Sequence, residues 1–327
     1  MIARRSVWAN TTVQERVKRF LPVADEVGRL QRGKDAECLL FQAMAEHGHY
    51  AGRTTPSDTR QGIYALTPAG DFLASCNTRR ADDVVRMLDR AWAEWEELEP
   101  AQRSRAVAGD VRRFERLHPK DGLVLRVVSR DLQGATCAEP WHETAWNQDF
   151  AWFTAEEARS LVPTGDTIGA TVEWPRALVD RLARLHLVDN VRGQTSPFAR
   201  DALKAGTLTS ALTAIDGDLA TLECEGTLRL SQEGSWSVGG FTDANAATPQ
   251  SRSLDATLFG RATFDRSQGR FIEFRAVVVG TRTGGTQFNQ RATDLDASTI
   301  GFAFDAVPDE PGFRVAPAHI WEYGWLK

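Results

Sequence analysis

The sequence predicts an α+β protein of two domains: a small N-terminal α/β domain over residues 1–100, a connector over 101–120, and a mainly antiparallel β domain over 121–327, built as a barrel or sandwich with a few helical insertions. Three observations carry this prediction. A chain of 327 residues exceeds what one core usually fills. The front third mixes helical periodicity with a single hairpin signal. From Thr207 onward, two-residue alternation of apolar and polar side chains dominates.

The elements follow in order. Asn10 and the threonines after it can cap a short helix with Val13, Val17 and Phe20 on one face. Leu21 to Val27 reads as a strand. Asp35 can cap a second helix whose apolar face holds Leu39, Leu40, Ala43 and Met44. A polar loop, HGHYAGRTTPSDTRQ, leads into GIYALT, then Pro68-Ala69-Gly70, then DFLASC, which is a hairpin in which Gly70 supplies the positive φ. The strongest helix follows, with Val84, Val85, Leu88, Ala91, Trp92 and Trp95 at a period near 3.6 and Asp82 and Asp83 at the positive end of its dipole.

The stretch GIYALTPAGDFLASCNTRRADDVVRMLDRAWAEW resembles the last hairpin and closing helix of thioredoxin-like proteins, and WANTTVQERVKRFLPVADEV is similar to their first helix and the strand after it. The resemblance covers roughly residues 7–98. It implies a thioredoxin-like fold without the redox chemistry. Active members carry CxxC at the start of the first helix, where the dipole favours thiolate. Trp8-Ala9-Asn10-Thr11 stands there in this chain. The family's cis-proline is also missing, since Arg60-Gln61 precedes Gly62. Cys38, Cys76, Cys137 and Cys224 are scattered without metal-ligand spacing, so reduced packing thiols are expected, with a Cys38–Cys76 pairing left open.

AQRSRAVAGDVRRFERLHP reads as the connector, and GLVLRVVSRDL as the strand that opens the second domain. An aromatic-rich loop follows, holding Cys137, Trp141, His142, Glu143, Trp146, Asp149 and Trp152. Thr154 and Glu157 form a capping box. Pro175 can start a helix with a buried stripe of Leu178, Val179, Leu182, Leu185 and Val188. Farther on, LATLECEGTLRLS and TLFGRATFD alternate strictly, Arg266-Ser267-Gln268-Gly269 turns the chain into RFIEFRAVVVG, and IGFAFDAV adds a strand.

Two polar sets are candidates for chemistry. In HLVDNVRGQ, His186, Asp189 and Arg192 are spaced three apart, so Asp189 could orient His186 as a general base while Arg192 binds a carboxylate or phosphate. The competing account is a helix C-terminus with Gly193 as its cap. A possible metal group would gather His142 and Glu143 with His319 and Glu322 from the C-terminal HIWEYGW. The loop GTRTGGTQFNQR matches no phosphate motif, although Arg282, Gln287, Asn289 and Arg291 could line a binding mouth. The cofactor is left unknown.

A net charge of −5 disfavours nucleic-acid and anionic-membrane binding, and no apolar run approaches a membrane span. The partner is left as a small molecule or a protein. MIARRSVWAN lacks an apolar h-region, so the sequence as written is expected in the cytoplasm, with secretion or the periplasm the alternative if the true start lies upstream. Function therefore reads first as a redox-inactive binding or accessory module, and second as an enzyme with a His/carboxylate site in the β domain.

Overall fold

The computed structural model describes residues 7–23, 27–54, 59–104, 115–132, 134–239 and 247–325, and divides into two compact units, Met1–Val111 and Arg112–Lys327. Among the described residues no helix is long and apolar enough to cross a membrane.

In the first unit, helix α1 (Thr11–Val17) starts at Asn10, whose side chain accepts from Val13 N at 3.1 Å. The expected strand after it is not formed over Leu21–Val23. Residues 24–26 lie outside the described ones, and Val27 opens the short helix α2 (Val27–Leu30). Helix α3 (Ala36–His47) is capped by Asp35 as expected. Its buried face differs from the expected one: Cys38 and Ala45 are inside, while Leu39, Leu40 and Ala43 are exposed. Apolar residues nearly encircle this helix, so periodicity alone selects no face. Polar anchors decide it, because the Gln42 amide donates to Leu30 O and Gly33 O.

Strands β1 (Ile63–Leu66) and β2 (Phe72–Cys76) form the predicted antiparallel hairpin, and Gly70 has φ 84°. The Thr67 hydroxyl accepts from Ala69 N and Asp71 N and closes the turn. Helix α4 (Ala81–Glu97) buries Val84, Met87, Leu88 and Ala91 against this hairpin and Val13 of α1. Helix α5 (Pro100–Arg103) follows. Of the expected connector, 105–114 lies outside the described residues.

The second unit is built on one eight-stranded antiparallel sheet. Its strands are β3 (Leu123–Asp131), β4 (Trp146–Phe153), β5 (Thr171–Glu173), β6 (Leu203–Asp216), β7 (Leu219–Trp236), β8 (Thr248–Asp265), β9 (Arg270–Thr283) and β10 (Ser298–Ala306), in the order β4-β3-β10-β9-β8-β7-β6-β5. Strands β6 to β10 form a meander, as alternation predicted. Part of the expected aromatic loop is strand β4.

The sheet is open rather than a closed barrel or a two-sheet sandwich, since β4 and β5 end it without pairing to each other. The physical reason is helix α7 (Arg176–His186), which packs against β4, β6 and β7 and fills the hydrophobic face where strand ends would otherwise have to meet. Its apolar face is buried, with Leu178, Val179, Leu182 and Ala183 joining the core with Leu125, Phe153, Leu212, Leu222, Leu258, Val278 and Phe304, while Arg176 and Ala177 at its start are exposed. Its Arg184 is tolerated inside because it donates to Phe198 O and Ala199 O and pairs with Asp180 at 3.0 Å. Helix α6 (Ala155–Arg159) carries the Thr154–Glu157 capping box as read from sequence.

Side chains close the sheet edges. Tyr323 Oη accepts from Trp152 N on β4, and Arg176 donates to Leu203 O and Gly206 O on β6. These bonds satisfy backbone groups that would otherwise template pairing with another chain.

Candidate functional site

Three features of the second unit are candidates: two buried polar networks and one open groove. The first is a hydrogen-bond relay. His186, the last residue of α7, places Nδ1 2.9 Å from Asp149 Oδ2 and Nε2 2.6 Å from Tyr323 Oη. Asp149 lies on β4, and Tyr323 on a C-terminal 3₁₀ turn, Ile320–Tyr323. With Nδ1–H donated to the carboxylate, Nε2 is left to accept the tyrosine proton, which fixes the tautomer. The phenol oxygen in turn accepts from Trp152 N at 3.2 Å, and Asp149 Oδ1 accepts from Ala318 N at 2.8 Å. Burial pushes the Tyr323 phenol well above its ordinary value, so it is neutral. Arg181 lies 4.5 Å over the Tyr323 ring and forms a two-point ion pair with Glu157, each contact at 2.7 Å.

The His186–Asp189 pair expected from sequence is not formed. Helix α7 ends at His186, so the i, i+3 geometry stops before Asp189, and Asp149 takes the imidazole instead. Gly193 therefore caps no helix. A Cβ there would fall 1.7 Å from Phe288 O, so close approach of that backbone accounts for the glycine.

Asp189 and Arg192 belong to the second feature, a buried ion cluster. Arg291 uses all five of its N–H donors: on Asp189 at 2.7 and 2.8 Å, on Asp131 at 2.6 and 3.0 Å, and on Asp294 at 2.8 Å. Arg192 pairs with Asp131 at 2.8 Å and with Asp294 at 3.0 Å, while Arg282 pairs with Asp294. Burial opposes charge on Arg291, but Asp189 and Asp131 outweigh it and hold the guanidinium above its usual value. For Asp131 too burial works against ionisation, and Arg291 followed by Arg192 overcomes it, so the carboxyl titrates below the ordinary range. The loop expected to line a binding mouth thus sends Arg282, Asn289 and Arg291 inward. Alternation could have shown this for Arg282, which shares parity with Phe274, Ala276 and Val278 on β9.

The expected metal group is not assembled: among the described residues no three His, Cys, Asp or Glu side chains are placed to hold a metal ion. His142 is buried in the 3₁₀ turn Pro140–Thr144, where Nδ1 accepts from Glu139 N at 3.4 Å. Burial lowers its pKa, as do Arg192 and Arg291. Glu143 is exposed, and Glu322 stands 3.8 Å from Arg184. His319 is in a different environment, influenced by Asp149, His186 and Arg252.

Burial pushes His319 down to about 4 from an ordinary 6.5, and its Nδ1 has no partner among the described residues. Above pH 6.5 neither the folded nor the unfolded chain holds a proton here. Between 6.5 and 4 only the unfolded chain does, so stability falls as pH falls through that window, by roughly 3 kcal/mol in all. His319→Gln should flatten the corresponding part of a urea-midpoint against pH curve. An unchanged curve would rule this out.

The third feature is an open groove of about 600 Å³ at the ends of β7, β8 and β9. Glu233, Gly234, Pro249, Gln250, Ser251, Thr283, Gly284 and Leu295 line it. In the first unit, Cys38 and Cys76 are free thiols, and burial is the main cause pushing both above their usual value. No family model, no curated protein and no solved structure matches the chain.

Sequence reasoning missed Asp149 as the partner of His186, although a lone aspartate heading the apolar run FAWF signals a buried carboxylate that needs donors. Asp131, which ends its strand, gave no comparable signal.

Proposed function

We propose that this protein is a binding or accessory module whose ligand site is the groove at the ends of β7, β8 and β9. The groove carries this reading. Its lining offers hydroxyls, an amide, backbone groups and one carboxylate, Glu233, which suit recognition of a small polar molecule. Among its described lining residues there is no histidine, cysteine or lysine. Both ring nitrogens of His186 are engaged by Asp149 and Tyr323, which fits a clamp on the C-terminal segment better than a base awaiting substrate. The first unit is read in the same proposal as a thioredoxin-like module without redox function, supported by the hairpin with its closing helix and by two thiols kept protonated by burial.

A crystallographic fragment screen tests the reading. Fragments are expected in the groove against Ser251, Thr283 and Gly284, and the protein is expected to leave insulin disulfides intact. An empty groove with fragments gathered at Tyr323 would reject it.

The second reading is an enzyme that uses the Asp149–His186–Tyr323 alignment, since a carboxylate-oriented imidazole beside a hydroxyl is the arrangement that activates nucleophiles. An aryl sulfonyl fluoride separates the two. A His-activated phenol is labelled at Tyr323, and a structural clamp is not.

A further inference from the structure

Charge does not balance around the buried cluster. Among the described residues Arg192, Arg282 and Arg291 are matched by Asp131, Asp189 and Asp294. A fourth buried guanidinium, Arg252, points inward from β8, two residues before Leu254 in the alternation, and among the described residues no carboxylate lies within ion-pair distance of it. Its donors go to neutral oxygens: Gln232 Oε1 at 2.8 and 3.1 Å, Pro197 O at 2.5 Å, Ser196 O at 3.0 Å and Thr195 Oγ1 at 3.3 Å. Phe198 lies 4.3 Å beneath its plane. Burial lowers Arg252 to about 10, with Asp189 alone pulling the other way, and that still leaves it charged at neutral pH. Among the described residues this cluster, taken together with Arg252, therefore carries one positive charge in excess, in surroundings where an uncompensated charge costs far more than in water.

The excess sits beside a space. A small, partly enclosed cavity, with free volume of about 20 Å³, is lined by Arg252 and Arg282 together with Asp189, Thr195, Thr286 and Asn289. That is room for one water, or for an ion only slightly larger. Two polar atoms nearby lack partners. Arg282 Nε is buried without a hydrogen bond, its nearest carboxylate oxygen being Asp189 Oδ2 at 3.9 Å. Ser298 Oγ, on the residue directly opposite Arg282 across β9 and β10, is buried and unpaired as well.

We propose that this cavity binds a small monovalent anion of about the size of chloride, held by the Arg282 Nε–H and the field of Arg252. The anion neutralises the excess charge and gives a partner to a donor that otherwise has none. Asp189 in the lining sets the limit on charge: a monovalent ion completes the balance, whereas a divalent one would overshoot it. A free space of about 20 Å³ favours a monatomic ion over sulfate or phosphate. This proposal does not depend on what the neighbouring groove holds, although the two share Thr283 and Gly284 in their linings.

Thermal unfolding of the full chain in sodium gluconate, with chloride or bromide substituted at constant ionic strength, tests it. A ligand of the folded state alone raises the midpoint with saturation. For a unit of this size the expected rise is roughly 3–6 °C at saturating halide, with none from sulfate replacing gluconate at the same ionic strength. Arg252→Gln should abolish the halide response. Because that variant could fail to fold, crystals of the unaltered protein soaked in bromide give a second measurement, and an anomalous peak beside Arg252 and Arg282 is expected. A midpoint indifferent to halide overturns the proposal, as does bromide bound only elsewhere or a halide response that persists in Arg252→Gln.

Discussion

Arg291→Met is expected to cost about 3–5 kcal/mol of folding stability, because it leaves the buried Asp131 and Asp294 and the largely buried Asp189 with only Arg192 and Arg282 as paired guanidinium groups. At two to four degrees per kcal/mol for a unit of this size, the melting point should fall by roughly 10 °C. The size of the effect follows from geometry: no other side chain in the cluster bonds Asp131, Asp189 and Asp294 together. Asp131 and Asp294 are almost wholly removed from water in the fold and Asp189 largely so, and Arg291 is what offsets that cost. Asp131→Asn should be milder, since Arg192 then keeps Asp294 and an amide can still accept from Arg291. Denaturant unfolding followed by hydrogen exchange in β8 to β10 reads this directly. A loss below about 1 kcal/mol for Arg291→Met would mean that the cluster is wet enough to be screened, contrary to its burial.

Asp149→Ala should cost about 3 kcal/mol, as two donors, His186 Nδ1–H and Ala318 N–H, lose a charged acceptor inside the protein. Its signature is local. Asp149 joins β4 to the C-terminal segment, so amides over 318–325 should exchange much faster while those in the β6–β9 meander keep their protection. Tyr323→Phe is expected to remove about 1 kcal/mol, since it leaves His186 Nε2 and Trp152 N without a partner but keeps the ring under Arg181. Uniform loss of protection throughout the second unit after Asp149→Ala would show that the relay supports the whole core rather than clamping its end.

Both predictions concern polar groups inside a β unit, and the sequence spoke unevenly about them. Local chemistry was legible wherever partners are near in sequence. Asn10 and Asp35 cap their helices, Gly70 takes the positive φ its turn needs, and Thr154 and Glu157 close a capping box. The meander from β6 to β10 follows from two-residue alternation, since each strand meets its sequence neighbour through a short turn. The buried stripe of α7 was readable for the same reason, because a 3.6-residue period marks one side of a cylinder whatever covers it.

What the chain alone determined, then, is its α+β character, the hairpin with its closing helix, the sheet-forming alternation and the absence of a CxxC pair. Tertiary structure decided the rest. It left the sheet open by laying α7 across its inner face, turned Cys38 rather than Leu39 inward, gave His186 to Asp149, and drew Asp189 and Arg192 into the cluster with Asp131, Arg282, Asp294 and Arg291. The reason is one of range. Capping and periodicity act within a few residues, so composition and spacing encode them directly. A buried charge takes whichever counter-charge the packed fold brings within 3 Å, and those partners here stand from 3 to 160 residues away along the chain.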